Sequence, residues 1–110
     1  MPDYQAAYRA ASVASAERDL LQGRLATGLT AAIECCDRWA ADGRRALEWI
    51  GRDMQRETVT FASLKADSER FANLLKRRGI GKGDIVAGLL PRIPELLAVV
   101  LGTWRVGAVY

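Results

Sequence analysis

The sequence predicts an α/β fold, and three observations carry that reading. Residues 61–78 form the most secure helix, with Phe61, Leu64, Phe71, Leu74 and Leu75 on one stripe and Ser68 as a small gap in it. Ile85–Leu90 is an unbroken apolar run, the pattern of a strand buried on both faces in a parallel sheet. Residues 94–106 are apolar on all sides, which predicts a deeply buried helix, and Gly107 ends it before Ala108-Val109-Tyr110 turns extended. Strand, helix and the start of a second strand make a βαβ unit.

The other elements follow in order. Residues 3–22 read as one Ala-rich helix with Tyr4, Ala7, Tyr8, Ala11 and Ala14 on a face that Arg18 interrupts. Gly23 and Gly28 bracket a break. A second helix is expected from Ala31 to Ala41, with Thr30 as N-cap and Leu29, Ala32, Ile33, Cys36 and Trp39 on its buried face. Asp42-Gly43 closes it. Residues 46–51 and 58–61 read as two strands around the polar turn 52–57, a β-hairpin with Leu47 and Trp49 on one side. Thr60 can cap the helix that follows. Gly79 suits the left-handed residue after that helix, with Ile80 reaching back toward Leu75. Gly81-Lys82-Gly83-Asp84 is a turn, and Pro94 and Glu95 suit the first turn of the last helix.

The chain has 110 residues, half of them apolar and 26% charged, which fits one small globular domain and excludes disorder as its dominant state. It has no histidine, which removes Ser-His-Asp and Cys-His catalysis and every His-ligated metal site. Its two cysteines, Cys35 and Cys36, are neighbours, so no intramolecular bridge is expected and a reduced, cytoplasmic setting fits. Met1-Pro2-Asp3-Tyr4 does not open a secretory signal. The apolar stretch 93–100 contains Pro94 and Glu95 and is far short of the roughly 20 residues a bilayer requires. The net charge of +3 is mild, and most Lys and Arg stand beside Asp or Glu. Lys76, Arg77, Arg78 and Lys82 form the one basic cluster. A helix C-terminus attracts cations anyway, so no nucleic-acid partner is expected.

No motif in the sequence defines a chemistry. Gly79-x-Gly81-x-Gly83 has phosphate-loop spacing, but it follows a helix and opens a strand, the reverse of a dinucleotide loop. Cys35-Cys36 lacks a second pair to complete a metal site. Glu34, Asp37 and Asp42 lie near one helix and read as solvent-facing charges, although two of them could share a side. Arg92 stands at the C-terminal end of the predicted parallel strand, where α/β proteins tend to bind ligands, and reads as an exposed loop residue. Catalytic, cofactor-binding and metal residues are therefore all expected to be absent from this chain.

Four segments resemble the AMP-forming acyl-CoA synthetases, within the adenylate-forming enzymes. Thr30–Trp39, TAAIECCDRW, resembles the opening helix of that family, and its Asp-Arg-Trp leans toward the acetate, propionate and medium-chain branch. Thr58–Ala72, TVTFASLKADSERFA, resembles the T-Y-x-E-L-x-x-x-x-x-R-x-A-N signature. GIGKGDIVAGLL, from Gly79, resembles the G-(V/I)-K-K-G-D-x-V-A run, and Pro91–Tyr110, PRIPELLAVVLGTWRVGAVY, the P-x-x-P-E segment with its closing Gly-Ala. Thr30, Ser63 and Thr103-Trp104 depart from the family pattern, which has Asn, Glu and smaller residues there. The resemblance implies an N-terminal subdomain, with helices packed on a small hairpin and part of a parallel sheet. It divides the chain into a helical arm, 1–28, and a truncated piece of the AMP-binding domain, 29–110. It further implies an enzyme that, when complete, joins a carboxylate to AMP using ATP and Mg and then transfers the acyl group to CoA. The family's phosphate loop, adenine-ribose site and catalytic Lys have no counterpart in these residues, so the chain alone is expected to be inactive. Its expected partner is the remainder of a synthetase or a second copy of itself. A non-catalytic interaction module is the alternative.

Overall fold

The computed structural model describes residues 3–110. In chain order the elements are α1 (Tyr4–Ala10), α2 (Val13–Leu20), α3 (Ala31–Cys35), a 3-10 turn (Asp37–Trp39), β1 (Arg45–Ile50), β2 (Arg56–Thr60), α4 (Phe61–Arg77) and α5 (Glu95–Arg105). The mixed helix-and-strand class is as expected.

The single helix expected over 3–22 is two. Ser12 accepts from the Ser15 N–H through Oγ, and Ser15 Oγ accepts from the Ser12 N–H. This reciprocal cap starts α2 and draws the chain out of helix at Ala11. The second expected helix is also shorter. Cys36 leaves helical geometry, and the chain tightens into the 3-10 turn. Thr30 occupies the N-cap position without a side-chain cap bond. Of the expected buried face, Ala32 and Cys36 are fully buried, whereas Leu29, Ile33 and Trp39 remain more than a third exposed.

β1 and β2 pair antiparallel, with Leu47 opposite Val59 and Trp49 opposite Glu57. An irregularity between Arg45 and Leu47 brings Ala46 and Leu47 together against the core. Residues 51–55 make the turn, where the Gly51 N–H donates to the Gln55 carbonyl at 2.9 Å.

α4 begins directly from β2. Thr60 Oγ1 accepts from the Ser63 N–H and Ser63 Oγ from the Thr60 N–H, both at 3.1 Å. Ser63 thus provides the N3 acceptor that the family pattern draws from Glu. Leu64, Ser68, Ala72 and Leu75 are buried. Gly79 adopts φ +79°, its N–H donates to Lys76, and the Ile80 N–H donates to Leu75. These two bonds satisfy the last carbonyls of the helix. α5 ends the same way, with Gly107 at φ +77°, its N–H on Trp104 and the Ala108 N–H on Thr103.

α4 and α5 form the main helix pair, and α3 packs on α5. They approach closely at Gly102, where a Cβ would lie 2.8 Å from the Ser68 carbonyl and 2.9 Å from the Phe71 ring. Val59, Leu64, Ala98, Leu101, Ala32 and Cys36 make the core.

Two expectations for the C-terminal third are corrected. Residues 85–90 do not form a strand buried on both faces. They pair in parallel at one bridge, Ile85 with Val109, and Ile85 and Leu89 are 79% and 102% exposed. α5 is buried only where α4 and α3 cover it, through Ala98, Leu101, Gly102 and Thr103, and Leu97 and Trp104 stay exposed. In both places the apolar pattern asks for more cover than the described residues supply.

Candidate functional site

The glycine loop after α4 is closed to phosphate. Five of the six N–H groups over 79–84 are already engaged: Gly79 with Lys76, Ile80 with Leu75, Gly83 with Gly107 and Asp84 with Gly81 through backbone carbonyls, and Gly81 with Asp84 Oδ2 at 2.8 Å. A phosphate cradle depends on free N–H groups at the positive end of a helix. This loop offers bonded ones at the negative end. Nucleotide phosphates therefore do not fit the residues present. Lys76, Arg77, Arg78 and Lys82 are exposed around it, where the dipole of α4 favours cations.

The three carboxylates do not converge. Glu34 accepts from the Gln22 and Gly23 N–H groups and from Arg38. Those backbone donors, and then Arg38, hold its carboxyl below the ordinary value of 4.5. Asp37 faces the other way and takes both terminal nitrogens of Arg105, Nη1 at 2.9 Å. The Asp37 carboxylate keeps the Arg105 guanidinium above its ordinary value. Asp42 sits in the turn before β1 at φ +65°, exposed. Among the described residues, no three Cys, Asp or Glu side chains stand close enough to hold a metal ion. Cys36 is buried, its Sγ donates to the Phe61 carbonyl at 3.6 Å, and burial pushes its thiol up. Cys35 is exposed.

Arg92 is exposed, as expected. Its backbone is pinned, because Trp49 Nε1 donates to the Arg92 carbonyl at 2.7 Å. The hairpin thereby braces the loop that leads into α5.

Sequence reasoning missed the polar knot in the core. Arg105 Nε donates to Ser68 Oγ at 2.9 Å, so Asp37, Arg105 and Ser68 tie the 3-10 turn, α5 and α4 together. Ser68 Oγ in turn donates to the Lys65 carbonyl. Two signals pointed to it: a serine inside an apolar stripe, and an arginine closing an apolar helix. Beside the knot runs a groove of about 490 Å³ lined by Thr30, Ile33, Glu69, Asn73, Lys76 and Arg105. Of its two cations, Arg105 is already paired with Asp37 and Lys76 is exposed. The arrangement rigidifies the helix junction and leaves no poised acid, base or nucleophile there.

A helix pair braced by a hairpin and tied together by part-buried ion pairs defines a partial subdomain of mixed α and β structure. The AMP-binding enzyme family model matches residues 35–110, and the chain belongs to that family. It is 42% identical over 84 residues to the acetyl-coenzyme A synthetase of Rubrobacter xylanophilus and 41% identical over 85 residues to that of Sodalis glossinidius. These matches take in 73% and 74% of this chain and 13% of each relative. The crystal structure of Brucella canis acyl-CoA synthetase superposes on all of this chain with a TM-score of 0.94 at 45% identity, over 20% of that structure's own length. The chain thus spans a small part of the proteins it matches, and it corresponds to the N-terminal segment that its four motifs resemble. The relatives' names fall in the branch toward which Asp37-Arg38-Trp39 leaned.

Proposed function

We propose that these residues are the N-terminal scaffold of an acyl-CoA synthetase. When complete, that enzyme activates a carboxylic acid with ATP and Mg to an acyl-adenylate and transfers the acyl group to CoA in the cytoplasm. Alone, the 110 residues are inactive. The observation that carries this reading is the superposition of the entire chain on an acyl-CoA synthetase at 45% identity. The closed glycine loop supports inactivity, since adenylation requires preorganised donors at the transferring phosphoryl group. No helix among the described residues is long and apolar enough to cross a membrane.

The test is carboxylate-dependent exchange of pyrophosphate into ATP. The chain alone should give none. A chimera carrying it in place of the matching segment of the Brucella canis enzyme should turn over. A folded but inactive chimera would overturn the scaffold reading. Exchange by the chain alone, abolished by Arg92→Ala or Lys82→Ala, would overturn its inactivity.

A second reading, a module that pairs with another chain, is favoured by one observation. Ile85, Leu89, Leu97, Val109 and Tyr110 are all exposed. Together with residues 87–90, which join no sheet among the described residues, they offer an apolar, strand-forming margin. Under either reading the isolated chain associates with itself, and nucleic acid is no partner. A monomer in sedimentation at high concentration would contradict the association.

A further inference from the structure

The N-terminal arm joins the rest of the molecule differently from every other junction in it. Neither α1 nor α2 buries a residue, and neither packs on another element. The attachment is polar and is concentrated on two side chains one helical turn apart. The Glu34 carboxylate accepts from the Gln22 N–H at 3.0 Å and from the Gly23 N–H at 2.7 Å. Arg38 Nη1 donates to the Leu20 carbonyl at 2.6 Å and to Glu34 Oε2 at 2.8 Å. Leu20 closes α2, so its carbonyl lacks an intrahelical donor. The two side chains are only 11% (Glu34) and 24% (Arg38) exposed, which shields the pair from solvent.

We propose that Glu34 and Arg38 form a clasp that decides whether the N-terminal arm, residues 3–28, is held against the body or released from it as a unit. No apolar packing of the two arm helices backs these bonds. Each bond has a charged partner, the stronger class of hydrogen bond, and each depends on one of two residues. Helices of seven and eight residues do not persist alone in water. Release therefore removes the arm's helicity as well as its attachment. α4 and α5, held by burial, stay folded when the clasp opens, so the arm is a separate low-stability unit.

Amide hydrogen exchange on the 110-residue chain tests this. Glu34→Ala and Arg38→Ala should each speed exchange at Gln22 and Gly23 about tenfold or more. The helical signal of the arm should fall with it, while the amides of Leu64–Leu75 keep their wild-type rates. Unchanged exchange at Gln22 and Gly23 in both variants would overturn the clasp. So would acceleration of the α4 amides by the same factor, which would make the pair part of the global core. The wild-type chain gives a check that needs no variant: Gln22 and Gly23 amides that exchange at unprotected rates would also overturn it.

Discussion

α2 and α4 start in the same way and are held in different ways. Both open on a reciprocal hydroxyl cap, Ser12 with Ser15 and Thr60 with Ser63, at nearly the same distances. α4 then runs for 17 residues and buries four of them, while α2 runs for eight and buries none. The cap fixes where a helix begins. Its length and stability come from what the apolar stripe finds to pack on. Leu64 finds α5 and the hairpin and Leu75 is buried, whereas Val13 and Leu20 face solvent.

The comparison can be broken most forcefully in the core. Leu64→Ala should cost about 3 kcal/mol in chemical denaturation, because a fully packed side chain leaves a cavity. Leu20→Ala, by contrast, should leave the midpoint unchanged. Asp37→Asn should cost about 2 kcal/mol, since it leaves the Arg105 guanidinium partly buried without its carboxylate. A loss no greater than that of an exposed pair such as Lys65–Glu69 would show the knot to be dispensable. Gly79→Ala should cost about 1 kcal/mol, because an L side chain is strained at φ +79°. Thr60→Ala should also cost about 1 kcal/mol of global stability, whereas Ser12→Ala should reduce only local helicity, read by amide exchange.

The smallest effect is a titration. Glu34 is held below 4.5 by the Gln22 and Gly23 donors, so its folded value lies under its unfolded one. Its contribution is complete above the unfolded value and is lost as pH falls through the folded value. A carboxyl carbon shift of Glu34 with its midpoint below 4.5 would sharpen the contrast with the solvated arm. A midpoint at or above 4.5 would dissolve it.

What could be read from the sequence was local. The Thr60 cap, the hairpin and the left-handed Gly79 each depend on a few neighbouring residues, and each stands as expected. The end of α1 at Ala11 was local too, but Ser15 as the N3 partner of Ser12 carries a weaker signal than Glu or Gln would. Cover was not legible. Whether Ile85–Leu90 becomes a buried strand depends on residues far from it in sequence, and periodicity reports demand for burial without reporting supply. The fate of the candidate charges was hidden for the same reason. Asp37 meets Arg105 across 68 positions, a separation at which spacing along one helix says nothing. Arg92 as an exposed loop residue, and the glycine run as a helix cap followed by a turn, could be read directly from the order of helix, turn and apolar run.

The exits of α4 and α5 lie side by side: the Gly83 N–H donates to the Gly107 carbonyl, and Val109 bonds Asp84 and Val86 on either side of Ile85. The offset between the two extended segments is therefore set by where two helices stop. An insertion of one residue between Gly79 and Asp84, or between Gly107 and Val109, would turn every following side chain to the opposite face. These two connections should resist changes in length across relatives, even where substitutions are common.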